Sequence, residues 1–106
     1  MLIYRGRLIA TDFLKLPPRK RYPDYYLTIK KPIALDTILE RIENDEYDDT
    51  EALKADLTLM TSNARKYNVK GSSIYEDATA LQVHFMMTLL IIRKLSKTIL
   101  LKSRSN

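Results

Sequence analysis

The sequence predicts an all-α protein of one domain, and three observations support this. Apolar residues recur at helical spacing through most of the 106-residue chain. Strand signals are few, because the chain has no Asn-Gly or Asp-Gly hairpin turn and no long run of alternating apolar and polar residues. The four prolines lie together between Pro17 and Pro32, which leaves the rest of the chain open to helices. This length is enough for one small core and too short for two.

In the first third of the chain, the sequence predicts a short, weak helix followed by a long loop. Residues 1–12 are apolar enough for a short helix, although Gly6 weakens it. Two adjacent prolines then disfavour helix, so we expect residues 13–34 to form a long ordered loop. Pro23 within it favours the first position of a short helical turn. A loop of roughly twenty residues in so small a domain is commonly functional.

Two helices are predicted in the middle of the chain. The first covers residues 35–44, and its inward-facing residues are Leu35, Ile38, Leu39 and Ile42. The second covers residues 51–67, and its apolar stripe is Leu53, Leu57, Met60, Ala64 and Tyr67. Thr50 is predicted to cap the second helix, and Glu51 favours its dipole. Gly71 ends this region, because glycine can take a left-handed conformation.

The last helix is predicted to be the longest, over residues 73–102. The spacing Ser73-x-x-Glu76 fits a capping box at its start. Its apolar stripe includes Ile74, Ala78, Leu81, Phe85, Leu89 and Ile92. Because residues 85–92 are unusually apolar, we expect self-association through this helix, or its coverage by another chain. We expect no membrane partner, since the longest uncharged stretch, Ala78–Ile92, falls short of the roughly twenty apolar residues that a span needs.

Charge is segregated along the chain, although the net charge is only +5. Residues 1–35 carry +6, residues 36–63 carry −7, and residues 64–106 carry +6. Such segregation indicates separate positive and negative faces, which bears on the choice of partner more than on fold. The overall balance is too mild to require nucleic acid as the partner.

The composition excludes several kinds of chemistry. The chain has no cysteine, which excludes disulfides, thiolate metal sites and cysteine nucleophiles. Its single histidine, His84, is interpreted as a structural or surface residue, so neither a histidine metal site nor a Ser-His-Asp triad is expected. The acids at residues 45–49 lack the spacing of a calcium loop. We therefore predict no enzyme, no cofactor and no metal.

The long loop and the ends of the last two helices carry a series of short motifs. They are Phe13-Leu-Lys-Leu-Pro17, Tyr22-Pro-Asp-Tyr-Tyr26, Ile29-Lys-Lys-Pro32, Asn63-Ala64, Tyr67-Asn68, Gly71-Ser72 and Ile74-Tyr75-Glu76-Asp77. Together, over roughly residues 6–90, they resemble a bromodomain. The resemblance is strongest to the bromodomains of chromatin-remodelling ATPases and polybromo-type remodeller subunits.

This resemblance implies a left-handed four-helix bundle, with a shortened or truncated first helix, whose two loops form an acetyl-lysine pocket. It implies that Asn68 donates a hydrogen bond to the acetyl carbonyl and that Tyr25 reaches the same oxygen through a water. Ile74 is the expected gatekeeper beside the lysine stem. The other expected pocket residues are Tyr67, Tyr22, Ala64, Phe13, Leu16 and Pro17. Considered alone, an asparagine just ahead of a glycine is more typical of a helix C-cap.

The predicted function is an acetyl-lysine reader that binds acetylated histone tails. We expect it to target a chromatin-remodelling complex in the nucleus, with subunits of that complex as partners and a role in transcription regulation. The alternative is a degenerate bromodomain that acts as a helical scaffold or contacts DNA. The expected DNA contacts are Arg19, Lys20, Arg21 and Lys70, with Lys30, Lys31, Arg65 and Lys66 nearby.

Overall fold

The computed structural model describes residues 3–4 and 7–105, and the described part contains four α-helices. They are α1 (Pro23–Thr28), α2 (Leu35–Glu43), α3 (Thr50–Tyr67) and α4 (Ser73–Ser105). Two strands of two residues each, β1 (Ile3–Tyr4) and β2 (Arg7–Leu8), pair antiparallel ahead of them. One turn of 3-10 helix is next, at Thr11–Phe13. Helix and loop make up the rest of the described chain, which confirms the all-α prediction.

The helix predicted over residues 1–12 is not formed by the described residues of that stretch. β1 and β2 lie there instead, with Ile3 opposite Leu8. Residues 1, 2, 5 and 6 lie outside the described residues. A helix of about a dozen residues is marginal unless an apolar face packs along its length. Here Ile9 and Phe13 enter the core from a turn and a 3-10 helix, at 1% and 5% exposure, without a continuous helix.

The long helices begin close to their predicted positions, but each is capped one residue earlier than expected. Asp49, not Thr50, caps α3, because its extended backbone lets Oδ1 accept the Ala52 N–H at 2.9 Å. Ser72, not Ser73, caps α4, where its Oγ accepts the Tyr75 N–H at 3.4 Å. The predicted cap residues are instead the first residues of each helix.

The core lies between α2, α3 and the first half of α4. Its buried members are Ile9, Phe13, Ile33, Ile38, Leu57, Met60, Ala64, Ala78 and Leu81. A polar contact joins α3 to α4 beside them, since Thr61 donates to Gln82 Oε1 at 2.5 Å and Gln82 Nε2 donates to Thr58 at 3.1 Å. Two residues expected to face the core, Leu39 and Ile42 of α2, are half exposed.

A charged contact joins α2 to α3 at their connecting loop. Arg41 and Tyr47 both donate to Asp56 Oδ2 at 2.6 Å. Burial, and next the hydrogen bond to Asp56, raise the pKa of the Tyr47 hydroxyl to about 12. Asp45 turns the loop with a φ of 56°. The loop is therefore held against α3 by one shared carboxylate.

The second half of α4 extends away from the core. At 1.5 Å per residue its 33 residues are about 50 Å long, and the longest dimension of the molecule is 58 Å. Every described residue from Leu90 to Arg104 is exposed. By length and composition alone, α4 could cross a membrane. Its first half, however, is the core helix that contributes the buried Ala78 and Leu81.

Candidate functional site

A cavity of about 340 Å³ lies between the long loop and the adjoining ends of α3 and α4. Its lining includes all nine residues expected there from the sequence: Phe13, Leu16, Pro17, Tyr22, Tyr25, Ala64, Tyr67, Asn68 and Ile74. Six further residues line it that the sequence analysis missed: Asp12, Lys15, Pro18, Ile33, Ala34 and Met60. The size is that of a small-molecule or side-chain site.

The long loop owes its shape to contacts that its own side chains make. Tyr26 donates from its hydroxyl to the carbonyl of Pro17 at 2.5 Å. The guanidinium of Arg19 lies over the Tyr26 ring at 4.1 Å from its centroid, a cation–π contact. At the other end of the loop, Asn63 Nδ2 of α3 donates to the carbonyl of Lys31 at 2.8 Å. The loop is thereby held open as a wall of the cavity.

Asn68 ends α3 and also lines the cavity. Its backbone N–H donates to the Ala64 carbonyl at 3.1 Å, and its side-chain Nδ2 donates to the same oxygen at 2.8 Å. The residue has extended backbone angles, φ −95° and ψ 153°, as expected at a helix end. An amide nitrogen carries two hydrogens, so one donor and the amide oxygen remain for a ligand. The C-cap role and a binding role are compatible in this geometry.

Three tyrosines pack edge to face, and two of them, Tyr25 and Tyr67, line the cavity together with Asn68. The ring of Tyr25 lies 4.8 Å from that of Tyr67 and 5.3 Å from that of Tyr26, centroid to centroid. Burial, and next the neighbouring Tyr26 and Tyr67, raise the pKa of the Tyr25 hydroxyl. Tyr67 donates to Asp24 Oδ2 at 2.9 Å, and this hydrogen bond is the main cause that raises the pKa of Tyr67. The hydroxyls of Tyr25 and Tyr67 therefore stay protonated, as hydrogen-bond donors, at neutral pH.

The apolar wall of the cavity comes from both the loop and the helices. Ile74, half-buried in the first turn of α4, lies on one side. Phe13, at the start of the long loop, is a buried core residue that also forms part of the wall. Leu16 and Tyr22 are partly exposed at 38% and 42%, so they form the rim. Ile33 and Met60 line the cavity from the core.

Ile33, Ala34 and Met60 could have been found only in part from the sequence. The helical stripe that contains Ala64 also contains Met60, one turn earlier, and this is the one available signal. Ile33 and Ala34 lie in the loop just ahead of α2, where no periodicity applies. Their approach to the cavity depends on the fold of the loop.

The basic residues expected to contact DNA are exposed and adjoin the lining residues along the chain. Arg19, Lys20 and Arg21 lie between the lining residues Pro18 and Tyr22. Lys70 lies between Asn68 and Ile74 and is also exposed. Of these four, Arg19 already makes the contact with Tyr26 described above. Among the described residues, no group of three His, Cys, Asp or Glu side chains could hold a metal ion.

Comparison with known proteins identifies the fold around this cavity. The sequence model of the bromodomain family matches residues 4–80, a range that includes every residue lining the cavity. The solved structure of the bromodomain from human BAZ1A superposes with a TM-score of 0.76 at 37% identity, over 79% of this chain and 82% of that one.

Curated relatives include subunits of chromatin-remodelling complexes. The chain is 52% identical over 77 residues to the chromatin structure-remodeling complex subunit snf21 of Schizosaccharomyces pombe, covering 73% of this chain and 6% of that protein. It is 44% identical over 81 residues to the ATP-dependent helicase brm of Drosophila melanogaster, covering 76% and 5%.

A further relative is the transcription regulatory protein SNF2 of Saccharomyces cerevisiae, 43% identical over 77 residues, covering 73% of this chain and 4% of that protein. The chain thus spans between 4% and 6% of the length of these three relatives. The resemblance noted in the sequence to remodeller bromodomains is confirmed by these matches. This chain belongs to the bromodomain family.

Proposed function

We propose that this bromodomain binds acetylated lysine side chains in the cavity between its long loop and the ends of α3 and α4. The observation that carries the proposal is the position of Asn68, an amide in the wall of a mainly apolar cavity. Tyr25 is a second, hydroxyl-bearing group on the same lining. One amide donor and apolar walls suit a ligand that is apolar along its stem and carries a carbonyl at its end.

The chemistry of the lining distinguishes acetylated from unmodified lysine. Acetylation converts the ammonium of lysine into a neutral amide with a carbonyl acceptor. The remaining N–H of Asn68 can donate to that carbonyl, whereas an ammonium group has only donors to offer it. Moving an unpaired ammonium into an apolar cavity costs several kcal/mol, on the order of the penalty for any buried charge. Discrimination therefore comes from the loss of charge as well as from the hydrogen bond.

We further propose acetylated histone tails as the source of the ligand and a nuclear chromatin-remodelling complex as the setting. The support for this is that similar proteins are named as subunits of such complexes. A single hydrogen bond contributes on the order of 1 kcal/mol, so one mark is expected to be bound weakly. Recognition would then gain from other modules acting at the same time.

The test is a titration of acetylated and unmodified histone-tail peptides against the wild-type chain and an Asn68→Ala variant. We expect the wild type to prefer the acetylated peptides, and Asn68→Ala to weaken that binding about 5- to 100-fold, because a carbonyl is left buried without its donor. Isothermal titration calorimetry measures both constants.

The matched control is Asn44→Ala, an exposed asparagine that ends α2 away from the cavity. It should bind like the wild type. Thermal unfolding followed by circular dichroism checks that Asn68→Ala remains folded. A wild-type chain without preference for acetylated peptide would contradict the proposal and support the scaffold alternative.

A further inference from the structure

The outer half of α4 carries an apolar stripe on its exposed surface. Ile91, Leu95 and Ile99 recur every four residues, so they lie on one face of the helix. Their exposures are 56%, 57% and 68%. Lys94 and Lys102 border the same face, by their spacing from these three residues. This face, called the α4 stripe below, is apolar at its centre and basic at its edge.

A second exposed apolar face lies on α2. Leu39 and Ile42 are spaced by three residues and are 52% and 48% exposed. Asp36 and Glu43 stand three and four residues from Leu39, so they border this face, and both are exposed. This face, called the α2 face below, is apolar at its centre and acidic at its edge.

The outer half of α4 is basic and α2 is acidic on balance, so the charges that border the two faces are complementary. From residue 83 to residue 104 the chain has five basic residues and no acidic one. α2 carries the acidic residues Asp36, Glu40 and Glu43 and one basic residue, Arg41, so its net charge is −2. Two outer halves of α4, residues 83–104, laid side by side would bring only like charges together, which disfavours that pairing. An α4 stripe laid on an α2 face pairs apolar with apolar and basic with acidic.

We propose that two copies of this chain associate by packing the α2 face of each copy on the α4 stripe of the other. A two-fold axis then creates the same contact twice and closes the assembly as a dimer. The doubling matters, because α2 has only nine residues and one such contact is small against the 1,200–2,000 Å² or so that a stable interface buries. The cavity beside Asn68 is made by other residues, so the dimer presents two of them.

The test is sedimentation velocity on the full 106-residue chain over roughly a hundredfold range of concentration. We expect the mass to rise from the 12.4 kDa monomer to twice that value. Added salt should weaken the dimer, because part of the attraction is between exposed charges. Leu95→Ala should weaken it further, by removing the centre of the stripe.

A charge exchange identifies which faces meet. Glu43→Lys and Lys94→Glu should each raise the dimer dissociation constant about 5- to 10-fold, and the double variant should restore most of the loss. Lys54→Glu is the matched control, since Lys54 is an exposed residue of α3 on neither face; it should dissociate like the wild type. Because all these positions are exposed, the variants should keep the melting temperature of the wild type at concentrations where every protein is monomeric.

Three outcomes would overturn the proposal. The first is a monomer at every concentration. The second is a dimer that Lys94→Glu weakens and Glu43→Lys does not, which would show that α4 pairs with some other surface. The third is a monomer that binds phosphatidylcholine vesicles containing phosphatidylserine and loses this binding in the Leu95→Ala variant. That result would assign the stripe to an anionic membrane.

Discussion

Single residues at the site carry two roles at once. Asn68 completes α3 by donating twice to the Ala64 carbonyl, and it lines the cavity with the rest of its amide. Tyr67, its neighbour, packs on Tyr25 and holds Asp24 of α1 by a hydrogen bond. The amide proposed to bind the ligand is thus positioned by bonds that also stabilise the end of a helix. Preorganisation of this kind lowers the entropic cost of binding.

At this scale we predict that Tyr25→Phe weakens acetylated-peptide binding about 2- to 10-fold, because it removes one hydroxyl and keeps the ring. The edge-to-face contacts with Tyr26 and Tyr67 should survive, so the melting temperature should change little. Fluorescence polarisation with a labelled peptide measures the affinity. Tyr75→Phe is the control, since Tyr75 does not line the cavity. Equal weakening by both variants would count against a specific role for the Tyr25 hydroxyl.

The helices of this fold are joined by a few polar contacts near their ends and by apolar packing along the faces between them. Asp56 of α3 receives hydrogen bonds from Arg41 of α2 and from Tyr47 of the connecting loop. The contact holds the most acidic part of the chain to α3 through one shared carboxylate. Removing Tyr47's hydroxyl leaves Arg41 in place, so the effect of the tyrosine can be measured alone.

The raised pKa of Tyr47 predicts that the stability contributed by its contact with Asp56 depends on pH. Its folded pKa of about 12 is above the ordinary value of 10.0. The stabilisation that the protonated Tyr47 hydroxyl gives the folded state is therefore fully present below pH 10 and is lost as pH rises through about 12. Melting temperatures measured between pH 8 and 12 should fall more steeply for the wild type than for Tyr47→Phe. Parallel curves for the two proteins would show that folding does not raise the pKa of Tyr47.

Across the whole molecule, the cavity and the exposed stripe are separate. The core extends along α4 only to about Leu89, and the cavity is complete by Ile74. The family match likewise ends at residue 80. The part of α4 beyond Leu89 therefore adds surface without adding to the core.

We predict that a chain ending after Ile92 folds and binds acetylated peptide like the full chain. Residues 93–104 are exposed, so their removal should shift the melting temperature by no more than about 3 °C. The truncated chain should remain monomeric at concentrations where the full chain associates. Circular dichroism, peptide titration and sedimentation measure the three properties. A chain that loses cooperative unfolding would show that the outer half of α4 stabilises the core.

The sequence by itself determined the helical class and the extents of the two long helices within a few residues, and the resemblance of its short motifs to bromodomains implied the nine lining residues. Periodicity and short motifs carry that information, because they depend on neighbours along the chain. The tertiary structure alone decided that residues 3–4 and 7–8 pair as strands, that Ile33 and Ala34 reach the cavity, and that Leu39 stays exposed. An apolar stripe shows which side of a helix avoids water, but only packing shows what covers it.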